Sequence, residues 1–130
     1  MSIVIFTKGE LEMKIGEFVT LLNTTKDTVR HYEELNLLTP SWQNNKKEYS
    51  EKEILDFQVV KELKEYGFTL KDIQLIFSLK QALGCGDKQL IGQVYQVLTS
   101  QLDKLLQEEE ELRERRLILE NEVKKLKDLI

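Results

Sequence analysis

Two apolar patterns separated by a turn mark the segment from residue 15 to residue 34. In its first half, apolar residues recur every three or four positions, which predicts a helix with one buried face. These residues are Ile15, Phe18, Val19 and Leu22. Asn23 follows, and asparagine tolerates the left-handed backbone of a tight turn. Either Thr24, in a Thr-x-x-Asp capping pattern with Asp27, or Thr25 then caps a second helix. The segment therefore predicts a helix-turn-helix.

The second of these helices buries Val29 and turns a polar, cationic face outward. The residues assigned to the outward face are Lys26, Thr28, Arg30 and His31. A short helix of this kind, held against a first helix, fits a DNA major groove, where Arg and Lys donate to guanine or phosphate. Tyr32 is expected to half-bury its ring and to offer its hydroxyl to a phosphate. Glu33 and Glu34 are expected to be solvated or ion-paired.

A small β-hairpin is predicted after Pro40, which ends the preceding helix and sets an extended path. Asn44 and Asn45 have the turn chemistry that joins two short strands. Trp42 and Tyr49 are expected to pack beneath the hairpin. Its predicted DNA contacts fix the register on the backbone without reading sequence. They are assigned to Asn44, Lys46, Lys47 and Tyr49.

Two further helices follow the hairpin. Ser50 and Glu53 form a capping box that opens one helix, which ends near Gly67. Its apolar positions are Ile54, Leu55, Phe57, Val59, Val60 and Leu63. Thr69 and Asp72 open the next helix in the same way. Its apolar face is Ile73, Ile76, Phe77 and the segment from Leu79 to Leu83. Both helices are expected to brace the DNA-reading head.

A long helix is predicted from Asp87, its cap, to Ile130, after the break at Gly84-Cys85-Gly86. Apolar residues recur at every seventh position, which is typical of a coiled-coil seam. This row, the heptad row, is Ile91, Leu98, Leu105, Leu112, Leu119 and Leu126. A companion row lies four residues further on. It is Tyr95, Leu102, Glu109, Arg116, Val123 and Ile130.

The charges in the companion row indicate how two such helices pair. In an antiparallel pair centred on Leu112, Glu109 approaches Arg116 of the partner subunit, whereas a parallel pair stacks like charges. We therefore predict an antiparallel homodimer with a closed, isologous interface. The dimerisation residues are Ile91, Leu98, Leu102, Leu105, Glu109, Leu112, Arg116, Leu119, Val123 and Leu126. The alternative is a solitary amphipathic helix folded back on its own domain.

The helix-turn-helix and hairpin together resemble the MerR family of bacterial transcription regulators. The resemblance covers residues 13 to 80 and rests on five short segments. They are Met13–Glu17, Arg30–Glu34, Leu37–Leu38, Tyr49–Ser50 and Gly67–Leu70. It implies a mostly α fold, in which a winged helix-turn-helix DNA-binding domain precedes a long antiparallel coiled-coil dimerisation helix. The expected divisions are an N-terminal extension (1–12), the DNA-binding domain (13–83), a hinge (84–87) and the coiled-coil helix (88–130).

The resemblance also implies a function. Such regulators bind a pseudo-palindromic promoter site as homodimers and distort an overlong spacer so that its elements realign for RNA polymerase, which they affect indirectly. An unknown small-molecule effector would act through the long helices. Its pocket would lie between the head and the long helix, near Tyr66, Phe68, Phe77 and Tyr95, although such an aromatic group is more often core than pocket. The sequence departs from the family at Asp27, where an arginine is usual. In the wing, Asn45, Lys46 and Lys47 replace the usual glycine, tyrosine and arginine.

Composition changes this picture in one respect. The 130 residues carry 19 Lys and Arg against 23 Asp and Glu, a net charge of −4. A DNA-binding domain is typically basic. The acidic balance therefore predicts modest, salt-sensitive DNA binding, and it favours the alternative function of a helical protein-interaction adaptor without DNA binding.

Candidate chemistry is sparse. With one histidine and no nucleophile or phosphate-loop motif, no enzymatic activity and no cofactor are expected. The single cysteine, Cys85, cannot by itself build a metal site. It is a candidate redox sensor because it lies at a helix start, and the favoured alternative is an ordinary small residue in the hinge. With no signal peptide and no segment long enough to cross a bilayer, the chain is expected to be cytoplasmic.

Overall fold

The computed structural model describes residues 12–84 and 86–130. In chain order, its elements are β1 (Glu12–Met13), α1 (Ile15–Leu22), α2 (Lys26–Glu34), β2 (Ser41–Gln43), β3 (Lys46–Ser50), α3 (Glu51–Glu65), α4 (Leu70–Leu83) and α5 (Lys88–Lys127). The chain forms two compact units, which divide between Ala82 and Leu83. The predicted fold class, a mostly helical chain with a winged helix-turn-helix head and a long C-terminal helix, is confirmed.

The turn of the helix-turn-helix follows the predicted chemistry, with one correction. Asn23 ends α1 in the left-handed conformation, with φ of 52°. Thr25 caps α2, because its Oγ1 accepts from the backbone N–H of Thr28 at 3.2 Å. Of the two caps left open by the sequence, the structure selects Thr25, and the Thr-x-x-Asp pattern does not supply the cap.

A three-stranded antiparallel sheet with strand order β1-β3-β2 forms the wing. Asn44 and Asn45 join β2 to β3, and both have positive φ, at 51° and 62°. Positive φ at both central residues defines the type I′ turn, whose twist matches that of paired strands. The predicted hairpin is confirmed, and its two-residue loop fixes the register, in which Trp42 lies opposite Lys47.

The core of the head lies where β3 meets α1 and α3. Phe18 is fully buried and stacks on Tyr49, with ring centroids 4.6 Å apart, and it meets Phe57 edge-on at 6.2 Å. Phe57 also contacts the ring of Tyr32 at 5.7 Å. This aromatic cluster joins α1, α2, α3 and the wing, so it fixes the orientation of α2 relative to the hairpin.

Both predicted capping boxes are present. Ser50 N donates to Glu53 Oε1 at 3.0 Å, and Thr69 N donates to Asp72 Oδ2 at 3.1 Å. The buried residues of α3 and α4 all belong to their predicted apolar faces, apart from two carboxylates on α3. They are Ile54, Phe57, Val60, Leu63, Ile73, Ile76 and Phe77, with Glu53 and Asp56 as the buried acids. Leu55 and Val59 were also placed on that face, but both are exposed.

The predicted helix break and cap of α5 are confirmed. Gly84 and Gly86 have φ of 85° and 82°, and Asp87 Oδ1 accepts from Gln89 N at 2.7 Å. Along the 40 residues of α5, the whole heptad row is exposed, from 37% at Leu98 to 64% at Leu119. Among the described residues, no helix has an apolar stretch of the length that crossing a bilayer requires.

Candidate nucleic-acid interface

The outward face of α2 carries most of the residues assigned to it. Lys26, Arg30 and His31 are exposed, with 61% of the Arg30 side chain accessible. Asp27, also exposed, lies 3.9 Å from Arg30 and reduces the local positive potential. Thr28 points differently: it is half-buried, and its Oγ1 lies 2.9 Å from Thr25 Oγ1. Its hydroxyl therefore belongs to the turn.

On the wing, a cation lies beside an exposed aromatic ring. Trp42 is 66% exposed, and the Nζ of Lys47 lies 5.5 Å from the centroid of its ring. The prediction that Trp42 packs beneath the hairpin is wrong, because no element covers that end of β2 in the part of the chain that the structure describes. Lys46, next to the turn, is exposed as well.

Glu33 holds the wing against α2. Its Oε1 accepts from Lys47 Nζ at 2.7 Å, and its Oε2 accepts from the Tyr49 hydroxyl at 2.8 Å. Only 11% of the Glu33 side chain is accessible, so both bonds form in a partly dehydrated setting, where charge-assisted hydrogen bonds are strong. The expectation that Glu33 is ion-paired is confirmed, and the pair ties the last turn of α2 to β3.

Two tyrosines predicted to contact DNA are buried. The prediction that Tyr49 packs beneath the hairpin is confirmed. Tyr49 is fully buried, and burial together with its hydrogen bond to Glu33 raises the pKa of its phenol well above the ordinary value of 10.0. The assignment of Tyr49 to the DNA interface stays a prediction, and its hydroxyl is not available to a phosphate because it donates to Glu33. Tyr32 is nearly buried, beyond the half-burial expected, and its ring packs on Phe57.

A cavity of about 400 Å³ lies between α2, the wing and the start of α1. We call its polar lining with Trp42 the basic groove: Lys14, Arg30, Trp42, Asn45, Lys46 and Lys47. The structure thus brings four of the residues predicted for DNA binding to this cavity: Arg30, Lys46, Lys47 and the buried Tyr49, whose ring also lines it. Asn44 is exposed at the turn but does not line the cavity.

Sequence reasoning missed three members of the basic groove. Lys14, Asn45 and Trp42 were assigned to no DNA contact. The two-residue turn could have identified Trp42, because a two-residue loop fixes the strand register and places this residue opposite Lys47. No local signal marks Lys14, which reaches the groove by an ion pair with Glu48, distant in the chain.

Three of the four cations of the basic groove already have acidic neighbours. Lys14 pairs with Glu48, Lys47 with Glu33, and Arg30 with Asp27. Lys46 makes no ion pair with any residue that the structure describes. The charge available to an incoming polyanion is therefore smaller than the number of cations indicates.

A second cavity, also about 400 Å³, lies where the turn of the helix-turn-helix meets α3. Thr28 and Tyr32 line it with Phe57, and Lys61 and Lys64 border it. Two of the residues predicted for DNA binding therefore lie in a different cavity from the basic groove.

The residues predicted for effector binding differ in burial. Of the proposed effector pocket, Phe68 and Phe77 are buried, whereas Tyr66 and Tyr95 are exposed. Cys85 and its predicted redox role lie outside the described residues. In residues 12–84 and 86–130, no group of three or more His, Cys, Asp or Glu side chains is placed to hold a metal ion.

Comparison with known proteins adds one finding. A family model described as MerR HTH family regulatory protein matches residues 13–80, just over half of the chain. The match spans the helix-turn-helix, the wing, α3 and most of α4. Comparison with curated proteins gave no match, and comparison with solved structures gave none either.

Proposed function

This chain belongs to the MerR family of helix-turn-helix regulatory proteins, and we propose that it binds a pseudo-palindromic promoter site as a homodimer and distorts the spacer DNA. Through that distortion it acts indirectly on RNA polymerase. Binding alone serves this role, so we expect no catalysis. The observation that carries the proposal is the basic groove beside the exposed face of α2.

The groove has the arrangement that a DNA backbone requires. If α2 enters a major groove, the element beside it lies over the adjoining phosphates. Arg30, on α2, is then able to reach a base edge or a phosphate, whereas Lys46 and Lys47 on the wing hold the backbone. Lys26 and His31, exposed on the same helix, extend the contact surface.

The internal ion pairs set the expected strength of binding. A phosphate that binds Lys47 competes with Glu33, and one that binds Lys14 competes with Glu48. Each new contact with a phosphate breaks an ion pair within the protein, which offsets part of the binding free energy, so the affinity for DNA should be modest. Because phosphate contacts release counterions, affinity should fall steeply with salt.

The exposed heptad row supports the homodimer. Six large apolar side chains along one helix form a stripe that a second copy would cover in a coiled coil. The antiparallel orientation brings Glu109 near Arg116 of the partner subunit. Within its own helix, Arg116 bonds Glu120 at 2.7 Å, an exposed pair that is weak enough to exchange.

An anisotropy titration with labelled mixed-sequence duplex DNA at low salt tests DNA binding. We expect Arg30→Ala with Lys46→Ala to weaken binding at least tenfold and to flatten the salt dependence by about one to two units of log K per log salt. The matched control is Lys104→Ala, which removes an exposed cation from α5 and should leave binding unchanged. If the wild-type chain bound no DNA, the adaptor function would replace this proposal.

Sedimentation and cross-linking test the dimer. Wild-type chain should sediment as a dimer at micromolar concentration, and Leu112→Glu should dissociate it by placing two carboxylates at the centre of the seam. In a Cys85→Ser background, Leu98→Cys and Leu126→Cys chains should form a disulfide with each other when mixed. Self-cross-linking of each variant alone, without the mixed product, would show a parallel pair and contradict the orientation.

The promoter provides a third test. The DNA beside the chain's own gene should contain an inverted repeat inside a spacer that is too long for RNA polymerase. Smooth bending of a site of this size costs on the order of several kcal/mol, which the two heads together must offset. A site that binds the dimer without any change in mobility between circularly permuted duplexes would contradict the distortion.

A further inference from the structure

Trp42 is the one tryptophan of the chain, and its position in the basic groove is unusual for so large an apolar side chain. It is 66% exposed on β2, and it lines the same cavity as Arg30 on α2. Tryptophan has a large apolar surface to remove from water, and it is enriched at the centre of binding surfaces. The exposed ring therefore indicates a surface that a partner covers.

The surroundings of Trp42 identify the chemistry of that partner. Lys47 lies over its ring at 5.5 Å, and Lys46 and Arg30 line the same cavity. A DNA backbone alternates anionic phosphates with apolar deoxyribose rings at a spacing of several ångströms. An apolar ring beside several cations is complementary to that alternation, whereas an apolar protein surface would have to desolvate the cations.

We propose that Trp42 is a DNA-contacting residue that packs its indole on the deoxyriboses of the backbone bordering the groove read by α2. The inference rests on the proposed function, because it assigns a new contact within the same DNA complex. The contact between the Lys47 ammonium and the ring favours one orientation of the indole before binding, which reduces the side-chain freedom lost when DNA arrives. Trp42 thus supplies apolar contact where the neighbouring lysines supply charge.

Salt dependence separates this role from an electrostatic one. Trp42→Ala should weaken DNA binding about tenfold at every salt concentration, and the slope of log K against log salt should stay the same, since no counterion is released by an apolar contact. Lys46→Ala should lower the slope by about one. A lowered slope in Trp42→Ala would mean that the ring acts only by orienting Lys47, and it would overturn the proposal.

Two further variants complete the series. Trp42→Phe keeps an aromatic ring and should recover most of the affinity lost in Trp42→Ala. Leu75→Ala is the matched control, because it truncates an apolar side chain on α4 that is exposed to a similar degree, at 60%. Equal losses in Leu75→Ala and Trp42→Ala would contradict a specific contact.

Intrinsic fluorescence reports on the contact directly, because no other tryptophan contributes. Addition of unlabelled duplex should quench or shift the emission of Trp42 at the same DNA concentration at which the anisotropy of labelled duplex rises. DNA binding by anisotropy with unchanged Trp42 emission overturns this inference and leaves the proposed function standing. If the chain binds no DNA, the inference and the proposed function are both overturned. The same holds if a protein partner changes the emission of Trp42 and DNA does not.

Discussion

The contact of Glu33 with Tyr49 and Lys47 gives the sharpest test of how the head is held together. Glu33→Ala removes the acceptor of a fully buried phenol and of a partly exposed ammonium. A hydrogen bond to a charged group is worth about 1.5–3 kcal/mol, and the partly exposed Lys47 pair adds at most about 1 kcal/mol. We therefore expect Glu33→Ala to lower the free energy of unfolding by about 1.5–4 kcal/mol.

Urea unfolding of the full chain at a fixed protomer concentration measures this loss, because the stability of the proposed dimer would depend on concentration. Tyr49→Phe keeps the stacking on Phe18 and removes only the hydroxyl, so it should cost about 1–2 kcal/mol. The double variant, Glu33→Ala with Tyr49→Phe, should lose about 1–2 kcal/mol less than the two single losses added together. The reason is that neither the phenol nor the carboxylate is left without its hydrogen-bond partner.

The neighbouring Glu34 is the matched control. It is exposed, and its only described ion pair is with His31 at 3.8 Å. Glu34→Ala should change the free energy of unfolding by less than about 0.5 kcal/mol. The reasoning is refuted if Glu33→Ala costs no more than Glu34→Ala, or if the losses in Glu33→Ala and Tyr49→Phe simply add.

Three other predictions follow from the same head. The raised pKa of Tyr49 means that the unfolded chain loses this proton first, so the contribution to stability is complete below about pH 10 and declines as the pH rises further. Urea unfolding between about pH 8 and 11 should show a steeper alkaline loss in wild type than in Tyr49→Phe. Phe18→Ala should cost about 3–5 kcal/mol, because it empties the centre of the aromatic cluster, and a loss under about 1 kcal/mol would contradict that packing. At the hairpin, Asn45→Gly should preserve or raise the denaturation midpoint, whereas Asn45→Ala should lower it, since φ is 62° there. A reversed order of those two variants would rule out the type I′ turn.

The sequence by itself determined the elements and their ends. Capping by Ser50 and Glu53, the turn at Asn44-Asn45 and the break at Gly84 all depend on residues within a few positions of each other. Hydrogen bonds between a side chain and the nearby backbone form wherever such residues occur, so they can be read from the chain directly. The family resemblance over residues 13–80 was recognisable for the same reason, since its motifs are local.

The sequence predicted only in part which apolar side chains of an element are buried. Leu55 and Val59 fit the apolar pattern of α3 but are exposed, because no element packs on that side of the helix in the described head. The prediction that Trp42 packs beneath the hairpin also rested on its apolar character, because large apolar side chains are usually buried. A pattern shows that a side chain is apolar, and only the packed neighbours decide whether it is covered.

Tertiary structure alone decided how the candidate site is assembled. Lys14 is held at the basic groove by its ion pair with Glu48, and Glu33 accepts hydrogen bonds from Tyr49 and Lys47. Residues far apart in sequence therefore set the charge that DNA would meet. Such pairs depend on how α2 and β3 lie against each other once Phe18 stacks on Tyr49. Local sequence fixes short-range geometry through the backbone, but the partner of a charged side chain is chosen by packing across the core.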